Sequence, residues 1–288
     1  MQKIWFRRKT YGWGWYPCSW EGWLVIFVWA IFFTFGMVKM DHEWLKNLIA
    51  IFLSIGVLIY ICYKKGEKPR WQWGKNVIND TAYFIVDSLL KQQKLGKKVL
   101  FFVTGGSSIA VALKIAEILK GQSFPNLTVM LTDERYGVLN HGDSNWYKLI
   151  QQGFNISGAK MIPVLDGSDE ENTIKNFNEN LEKEFNSAEY KIGLFGVGAD
   201  GHTAGILPDS IAVDSKDLAC GYDTQLFSRI TITFKTIEKL DEAIIFLQGE
   251  SKKEILLDLK DKDIDLKKQP AQILKKVPLL TIFTNLKI

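Results

Sequence analysis

Cysteine and histidine are scarce in this chain. Cys18, Cys62 and Cys220 are its only cysteines, and they fit no C-x-x-C or zinc spacing. A reduced compartment is the simple reading. The three histidines, His42, His141 and His202, do not cluster with Cys or Asp at metal-ligand spacing, so no metal is expected. There is no G-x-S-x-G elbow, which removes support for a serine-nucleophile hydrolase. No run of Lys and Arg forms a basic arm, and a net charge of +4 is too mild to indicate a nucleic-acid protein. After residue 73, tryptophan almost disappears: of ten, only Trp146 lies beyond it.

The abundance of tryptophan before that point accompanies two uncharged runs. "WLVIFVWAIFFTFGMV" covers Trp23 to Val38 and "LIAIFLSIGVLIYICY" covers Leu48 to Tyr63. Each would make about 24 Å of helix, short of the ~30 Å hydrocarbon core. Flanking Trp20, Trp44, Tyr60 and Tyr63 suit the headgroup level. The reading is a transmembrane hairpin, helices about 20–38 and 45–63, joined by "KMDHE" and passing the bilayer through residues 20–63. A pair of buried core helices is the bland alternative. Lys3, Arg7, Arg8 and Lys9 precede the first span, and Lys64, Lys65, Lys68, Arg70 and Lys75 follow the second. That bias puts both termini and the following domain on the cytoplasmic side of an inner or plasma membrane. "GWGWYP" (Gly12 to Pro17) reads as an interfacial turn. A basic linker, Lys64 to Gly74, closes this region, so the domains expected are 1–74 and 75–288.

From Lys75 onward, short apolar β-rich runs alternate with amphipathic helical stretches. The runs are "KVLFFVT", "LTVMLT", "KMIPVL", "YKIGLFG", "SRITITF", "AIIFLQG" and "PLLTIFT". Continuous apolar strands alternating with helices predict an α/β fold with a mostly parallel sheet covered on both faces. Ligands of such sheets sit beyond the carboxyl ends of the strands, and the unusual residues fall there.

"TGGSS", Thr104 to Ser108, joins a strand to a helix. Gly105 and Gly106 let backbone N–H groups approach an anion at a helix N-terminus, and Ser107 and Ser108 offer hydroxyls; an ordinary turn with a serine N-cap fits as well. "TDERYG" puts three charges at the end of a buried strand, with Asp133 and Arg135 able to act on a polar substrate or merely to pair in a surface loop. "GDSNW" adds Asp143 or Ser144 as a helix cap and Asn145 as a polar group. "GLFGVGADGHTAGILP" spells G-x-G-x-x-G through Gly196, Gly198 and Gly201. The dinucleotide reading needs a long helix next and a strand ending in an acid. Pro208 and Asp209 allow at most about two helical turns. What remains is Asp200 beside His202 on a glycine-tight loop: a general base with its carboxylate partner, or a structural histidine. Arg229 and Lys252 have the chemistry of phosphate partners, although each alone reads as a solvated charge.

The ordered set "TGGSS", "TDERYG" with "DSNW", "GVGADGHTAGILP", "SRITIT", "GESKK" and "QPAQILK" resembles the 6-phosphogluconolactonase / glucosamine-6-phosphate isomerase superfamily over nearly all of residues 75–288. The resemblance implies a Rossmann-like three-layer α/β/α sandwich. Arg135 and Thr203 favour the lactonase branch, and no glutamate follows in Ile206–Asp209 as in the deaminase branch. Two departures stand out: Gly205, where the lactonase loop has serine, and Thr104, where the first loop has serine. The implied activity is hydrolysis of 6-phosphogluconolactone in the pentose phosphate pathway, without cofactor. Gly105, Gly106, Ser107, Ser108, Arg229 and Lys252 would hold the phosphate, with Thr104, Asn145 and Gly198 in the same binding site. His202 would activate water, Asp200 would orient it, and Arg135 would stabilise the oxyanion beside Asp133. The alternatives are a glucosamine-6-phosphate isomerase or deaminase, or a non-catalytic membrane sensor of sugar phosphates.

Overall fold

The structure, a computed structural model, describes residues 4–8, 11–12, 14–38, 44–66, 72–73 and 76–286. It divides into two compact units, Met1–Asn76 and Val77–Ile288. The expected 39–43 turn, most of the basic linker, and Lys3, Lys9, Lys68, Arg70 and Lys75 lie outside the described residues.

The first unit contains β1 (Phe6–Arg8), β2 (Tyr11–Gly12), β3 (Trp15–Pro17), α1 (Trp20–Val38), α2 (Trp44–Lys65) and β4 (Gln72–Trp73). Where an interfacial turn was expected at 12–17, β3 pairs antiparallel with β1, Phe6 opposite Pro17. Helices α1 and α2 lie side by side, Val28 and Trp29 facing Val57 and Leu58 across an apolar groove. Among the described residues, one 18-residue window is long and apolar enough to cross a membrane, Leu48–Lys65 of α2, with mean hydropathy 1.9. The described apolar stretch of α1 is Trp20–Thr34.

The second unit runs α3 (Val77–Lys94), β5 (Val99–Val103), α4 (Ile109–Leu119), β6 (Leu127–Leu131), β7 (Asp133–Arg135), α5 (Asn145–Gln151), β8 (Lys160–Ile162), α6 (Glu170–Ser187), β9 (Tyr190–Gly196), β10 (Ala219–Asp223), β11 (Ser228–Ile232), α7 (Phe234–Ile237), β12 (Glu242–Leu247), α8 (Lys253–Asp261) and β13 (Leu279–Thr284). Six strands form one parallel sheet in the order β13-β12-β9-β5-β6-β8. Every residue of β5 and β12 is buried, so both faces of the sheet are covered. This is why those strands read as unbroken apolar runs rather than alternating ones. The chain starts the sheet at β5, builds outward through β6 and β8, and then returns to the other side of β5 with β9. The strand order therefore reverses between β5 and β9, opening a crevice at their carboxyl ends.

"SRITITF" is a strand, but not in the parallel sheet. It is the centre of a small antiparallel sheet, β10-β11-β7. Its partner β7 is "DER", expected as a loop. β7 begins two residues after β6 ends, so the charged triplet leaves the main sheet and pairs in a second one.

Candidate functional site

At the strand-order reversal lies a cleft of about 270 Å³. Every sequence-predicted site residue except Asp200 lines it: Thr104, Gly105, Gly106, Ser107, Ser108, Asp133, Arg135, Asn145, Gly198, His202, Arg229 and Lys252. Asp200 stands behind one of them.

After β5 the chain turns at Thr104 and Gly105 into a 3-10 turn, Gly106–Ser108, continuous with α4. Neither serine caps the helix through its side chain, and Gly105 is the N-cap of the turn. The free hydroxyls are the difference from the ordinary-turn reading. Ser108 Oγ is buried with no protein partner. Gly106 has φ of +64°, a conformation that costs a glycine little. Gly105 is required by space: a Cβ there would sit 2.1 Å from Asn145 Oδ1.

β7 and β11 supply the opposite wall. Arg135 is registered directly against Arg229, and Asp133 against Thr231. Like charges facing each other across antiparallel strands are destabilising, and the site compensates only partly. Arg229 Nη1 is 3.7 Å from Asp133 Oδ2. Arg135 Nη1 donates to the backbone carbonyl of Asp143 at 2.8 Å, and its guanidinium carbon is 5.3 Å from the Phe227 ring centre. The Nε of both arginines is buried and has no protein partner. Two adjacent guanidiniums with unspent donors, next to a serine hydroxyl at a helix start, have the chemistry to receive an anion.

Glu134 was quoted in the motif but given no role by sequence reasoning. It is fully buried between the two arginine-bearing strands' ends and α5. Its carboxylate accepts from the backbone N–H groups of Arg135 (2.8 Å), Asn145 (2.6 Å) and Trp146 (2.9 Å), and from the Ser144 hydroxyl (2.9 Å). Burial pushes its carboxyl up, against the pull of these four bonds. The carboxylate thus anchors the start of α5, where two N–H groups have no intrahelical acceptor. Ser144 rather than Asp143 is the side-chain cap, accepting from Tyr147 N at 3.0 Å. Glu134 and Ser144 place Asn145, whose Nδ2 donates to the Asp133 carbonyl at 3.0 Å.

The fingerprint segment forms a closed loop after β9. Val197 and Thr203 form an antiparallel bridge, and Gly198 N donates to His202 O at 2.9 Å. No α-helix follows; the next turn is the 3-10 segment Ile211–Val213. His202 Nδ1 is 2.6 Å from Asp200 Oδ1, which also accepts from the backbone N–H of His202 at 3.2 Å. With Nδ1–H committed to the carboxylate, Nε2 is the basic nitrogen on the cleft side. Burial raises the Asp200 carboxyl, but the imidazole's charge and hydrogen bonds outweigh this and hold it below its ordinary range. A Cβ on Gly198 would fall 2.2 Å from both Asp200 Oδ1 and His202 Nδ1. The middle glycine of the fingerprint therefore makes room for the Asp–His pair, not for a pyrophosphate.

Gly205 also has a local cause. Its N–H donates to Thr231 Oγ1 at 2.9 Å, and a Cβ there would meet Thr231 Cβ at 2.9 Å and Asp133 Cβ at 3.0 Å. The Tyr222 hydroxyl pins the following residues, donating to Gly205 O at 2.5 Å and accepting from Leu207 N at 3.2 Å. Tyr222 and Thr231 have no sequence signal of their own, because only the β10–β11 pairing brings them to this loop. "QPAQILK" is a 3-10 segment behind it: Ala271 N donates to Gly201 O at 2.9 Å.

Fold and cleft define an α/β protein whose cleft sets guanidinium and hydroxyl donors beside a histidine–aspartate pair. No group of three or more His, Cys, Asp or Glu side chains among the described residues is arranged to hold a metal ion. The chain belongs to the glucosamine-6-phosphate isomerases/6-phosphogluconolactonase family, whose model matches residues 72–281. A 6-phosphogluconolactonase of Borreliella burgdorferi is 27% identical over 201 residues, covering 64% of this chain and 83% of the relative. One of Haemophilus influenzae is 24% identical, covering 68% and 89%. Among solved structures, a 6-phosphogluconolactonase from Shewanella baltica OS155 superposes with a TM-score of 0.62 at 21% identity, over 72% of this chain and 93% of that one. A monomeric glucosamine-6-phosphate deaminase superposes nearly as well, with a TM-score of 0.61 at 18% identity over 72% and 92%. The fold is thus common to both branches. Family and relatives together mark the chain as a 6-phosphogluconolactonase-like hydrolase.

Proposed function

We propose that the α/β unit hydrolyses the lactone ester of a phosphorylated sugar acid, 6-phosphogluconolactone in particular. The observation that carries this reading is the His202–Asp200 pair facing an anion receptor across a single small cleft. Arg229, Lys252 and the 105–108 loop hold the phosphate. His202 Nε2 takes a proton from water as its oxygen attacks the lactone carbonyl. The guanidinium of Arg135 stabilises the developing oxyanion. Collapse breaks the ester bond to the ring oxygen, which leaves with the proton from the imidazolium. Asp200 fixes the tautomer and offsets the imidazolium charge. General-base catalysis of this kind contributes roughly 10²–10⁴-fold.

Support against the deaminase branch comes from the cleft wall, where Asp133 is the one carboxylate among the described lining residues and is already engaged by Arg229. The test is hydrolysis of 6-phosphogluconolactone by the purified full-length chain, with the spontaneous rate subtracted. We expect turnover that falls to background in His202→Ala, with phosphate-ligand binding kept. Ammonia release from glucosamine 6-phosphate would transfer the chain to the sibling activity, and tight phosphosugar binding without turnover would make it a sensor.

The same proposal places α1 and α2 in a bilayer as a two-pass hairpin, with both termini and the α/β unit cytoplasmic. In support, Trp20, Trp23, Phe27 and Phe32 of α1 and Phe52, Leu53, Tyr60 and Tyr63 of α2 are all exposed. The apolar window of α2 is only 6% buried within the protein, unlike a core helix. Alkaline extraction of membranes tests this: the chain should stay in the pellet. Release into the supernatant would refute the tether.

A further inference from the structure

Among the described cleft atoms that are buried without a protein partner, Asn145 Oδ1 stands out because it can only accept. Ser108, Arg135 and Arg229 each bring a buried donor with no protein partner; Asn145 brings a buried carboxamide oxygen with none. The orientation of the carboxamide is fixed. Its Nδ2 donates to the Asp133 carbonyl at 3.0 Å, and a flipped amide would set oxygen against oxygen there. Its backbone is held as firmly, since Asn145 N donates to the buried Glu134 carboxylate at 2.6 Å. Oδ1 therefore lies on the Gly105 side of the cleft, in the space that a side chain at residue 105 would fill. A fully ionised phosphate or carboxylate cannot satisfy this atom, as it has no proton to donate. A phosphate or carboxylate oxygen would be repelled by it. A hydroxyl is the complementary group.

We infer that Asn145 Oδ1 accepts a hydrogen bond from a ring hydroxyl of the substrate, making Asn145 a specificity-determining residue that reads the polyol part of a phosphorylated lactone. The inference rests on the lactonase reading above and deepens it. The donors select the anion and Asn145 selects a hydroxylated ring, so an anionic lactone with a hydrogen in place of that hydroxyl leaves the acceptor unpaired. A site built around a hydroxyl rejects the analogue lacking it much more strongly than an apolar pocket rejects an added one.

The experiment pairs enzyme variants with substrate variants. The kcat/KM of the wild type, Asn145→Ala and Asn145→Asp is measured on 6-phosphogluconolactone and on its 2-, 3- and 4-deoxy analogues. We expect the wild type to lose about tenfold or more on one deoxy analogue. Asn145→Ala should lose a similar factor on the parent lactone and then show no further loss on that analogue. Asn145→Asp sacrifices the same contact to the Asp133 carbonyl but keeps an acceptor facing the cleft, so its deoxy penalty should persist. That contrast separates hydroxyl reading from a packing role. Equal losses on parent and deoxy lactones in Asn145→Ala would overturn the inference, as would a wild type indifferent to all three deletions. If no lactone is turned over at all, the lactonase reading fails first. Calorimetric binding of 6-phosphogluconate and its deoxy analogues then asks the Asn145 question independently, with the same pattern expected in Kd.

Discussion

Replacing Gly198 by alanine separates the catalytic-loop reading from the fingerprint reading. Gly198 is not among the glycines with positive φ, so alanine meets no backbone strain and the whole effect is steric. The added Cβ would lie 2.2 Å from Asp200 Oδ1, 2.2 Å from His202 Nδ1 and 2.4 Å from His202 Cε1. Ordinary contact needs roughly 3.5 Å, so the imidazole and its carboxylate must withdraw by about 1 Å. A misplacement of that size costs on the order of 10²-fold, or about 2.7 kcal/mol of transition-state stabilisation. The loss should fall on kcat, because the 105–108 loop, Arg229 and Lys252 are untouched and KM should hold within about twofold. Gly→Ala also restricts the unfolded chain, worth about 0.4–1 kcal/mol, so the melting temperature should barely change. The control is Gly196→Ala, the first glycine of the same pattern, whose Cβ would meet Ser108 Oγ at an ordinary 3.4 Å. Lactone hydrolysis by both variants, with thermal unfolding alongside, decides the matter. A Gly198→Ala enzyme at wild-type kcat, or equal losses in both variants, would refute the reasoning.

Four further outcomes follow from the site. Glu134→Ala leaves four donors, two of them buried, without their acceptor and should cost about 3 kcal/mol, seen as a fall of roughly 6–12 °C in melting temperature for a unit of this size; a fall below 2 °C would show that water replaces the carboxylate. Asp200→Asn removes the charge that fixes the imidazole tautomer and should lower kcat by about 10²–10⁴-fold. The Asp200 carboxyl sits below its ordinary value of 3.8, so it stays ionised as pH falls and protonates only below that value. The acid limb of the wild-type pH–rate profile should therefore carry no contribution from Asp200 above pH 3.8, and a break from this carboxylate above that value would contradict the assignment. Arg229→Ala should raise KM at least tenfold while relieving the cross-strand repulsion with Arg135; unchanged KM for the phosphorylated lactone would remove Arg229 from the phosphate site.

The strands of the parallel sheet were legible because they are buried on both faces: "KVLFFVT" and "AIIFLQG" carry their burial as unbroken apolarity. "DER" was not, since a three-residue strand of charged residues contradicts strand propensity. It pairs because β11 is presented to it and because Glu134 finds three donors in the segment that starts α5. β10 failed similarly, as "ACGYD" is held by its neighbour rather than by its composition. The site residues were legible one loop at a time. The exceptions were Glu134, Tyr222 and Thr231, which act on loops distant in sequence.

By itself the sequence determined the local chemistry: which loops carry glycine, where Asp200 stands beside His202, and that the first 65 residues bear two uncharged runs while the rest alternates strand with helix. These follow from short-range rules, because periodicity, turn preference and residue type act within a few positions. Only the tertiary structure decided that Arg135 and Arg229 face each other, that Asn145 presents an oxygen rather than a nitrogen to the cleft, and that Gly198 and Gly205 are required by space. Those facts depend on strand register and on which buried groups find partners, and both are set by contacts between segments tens of residues apart.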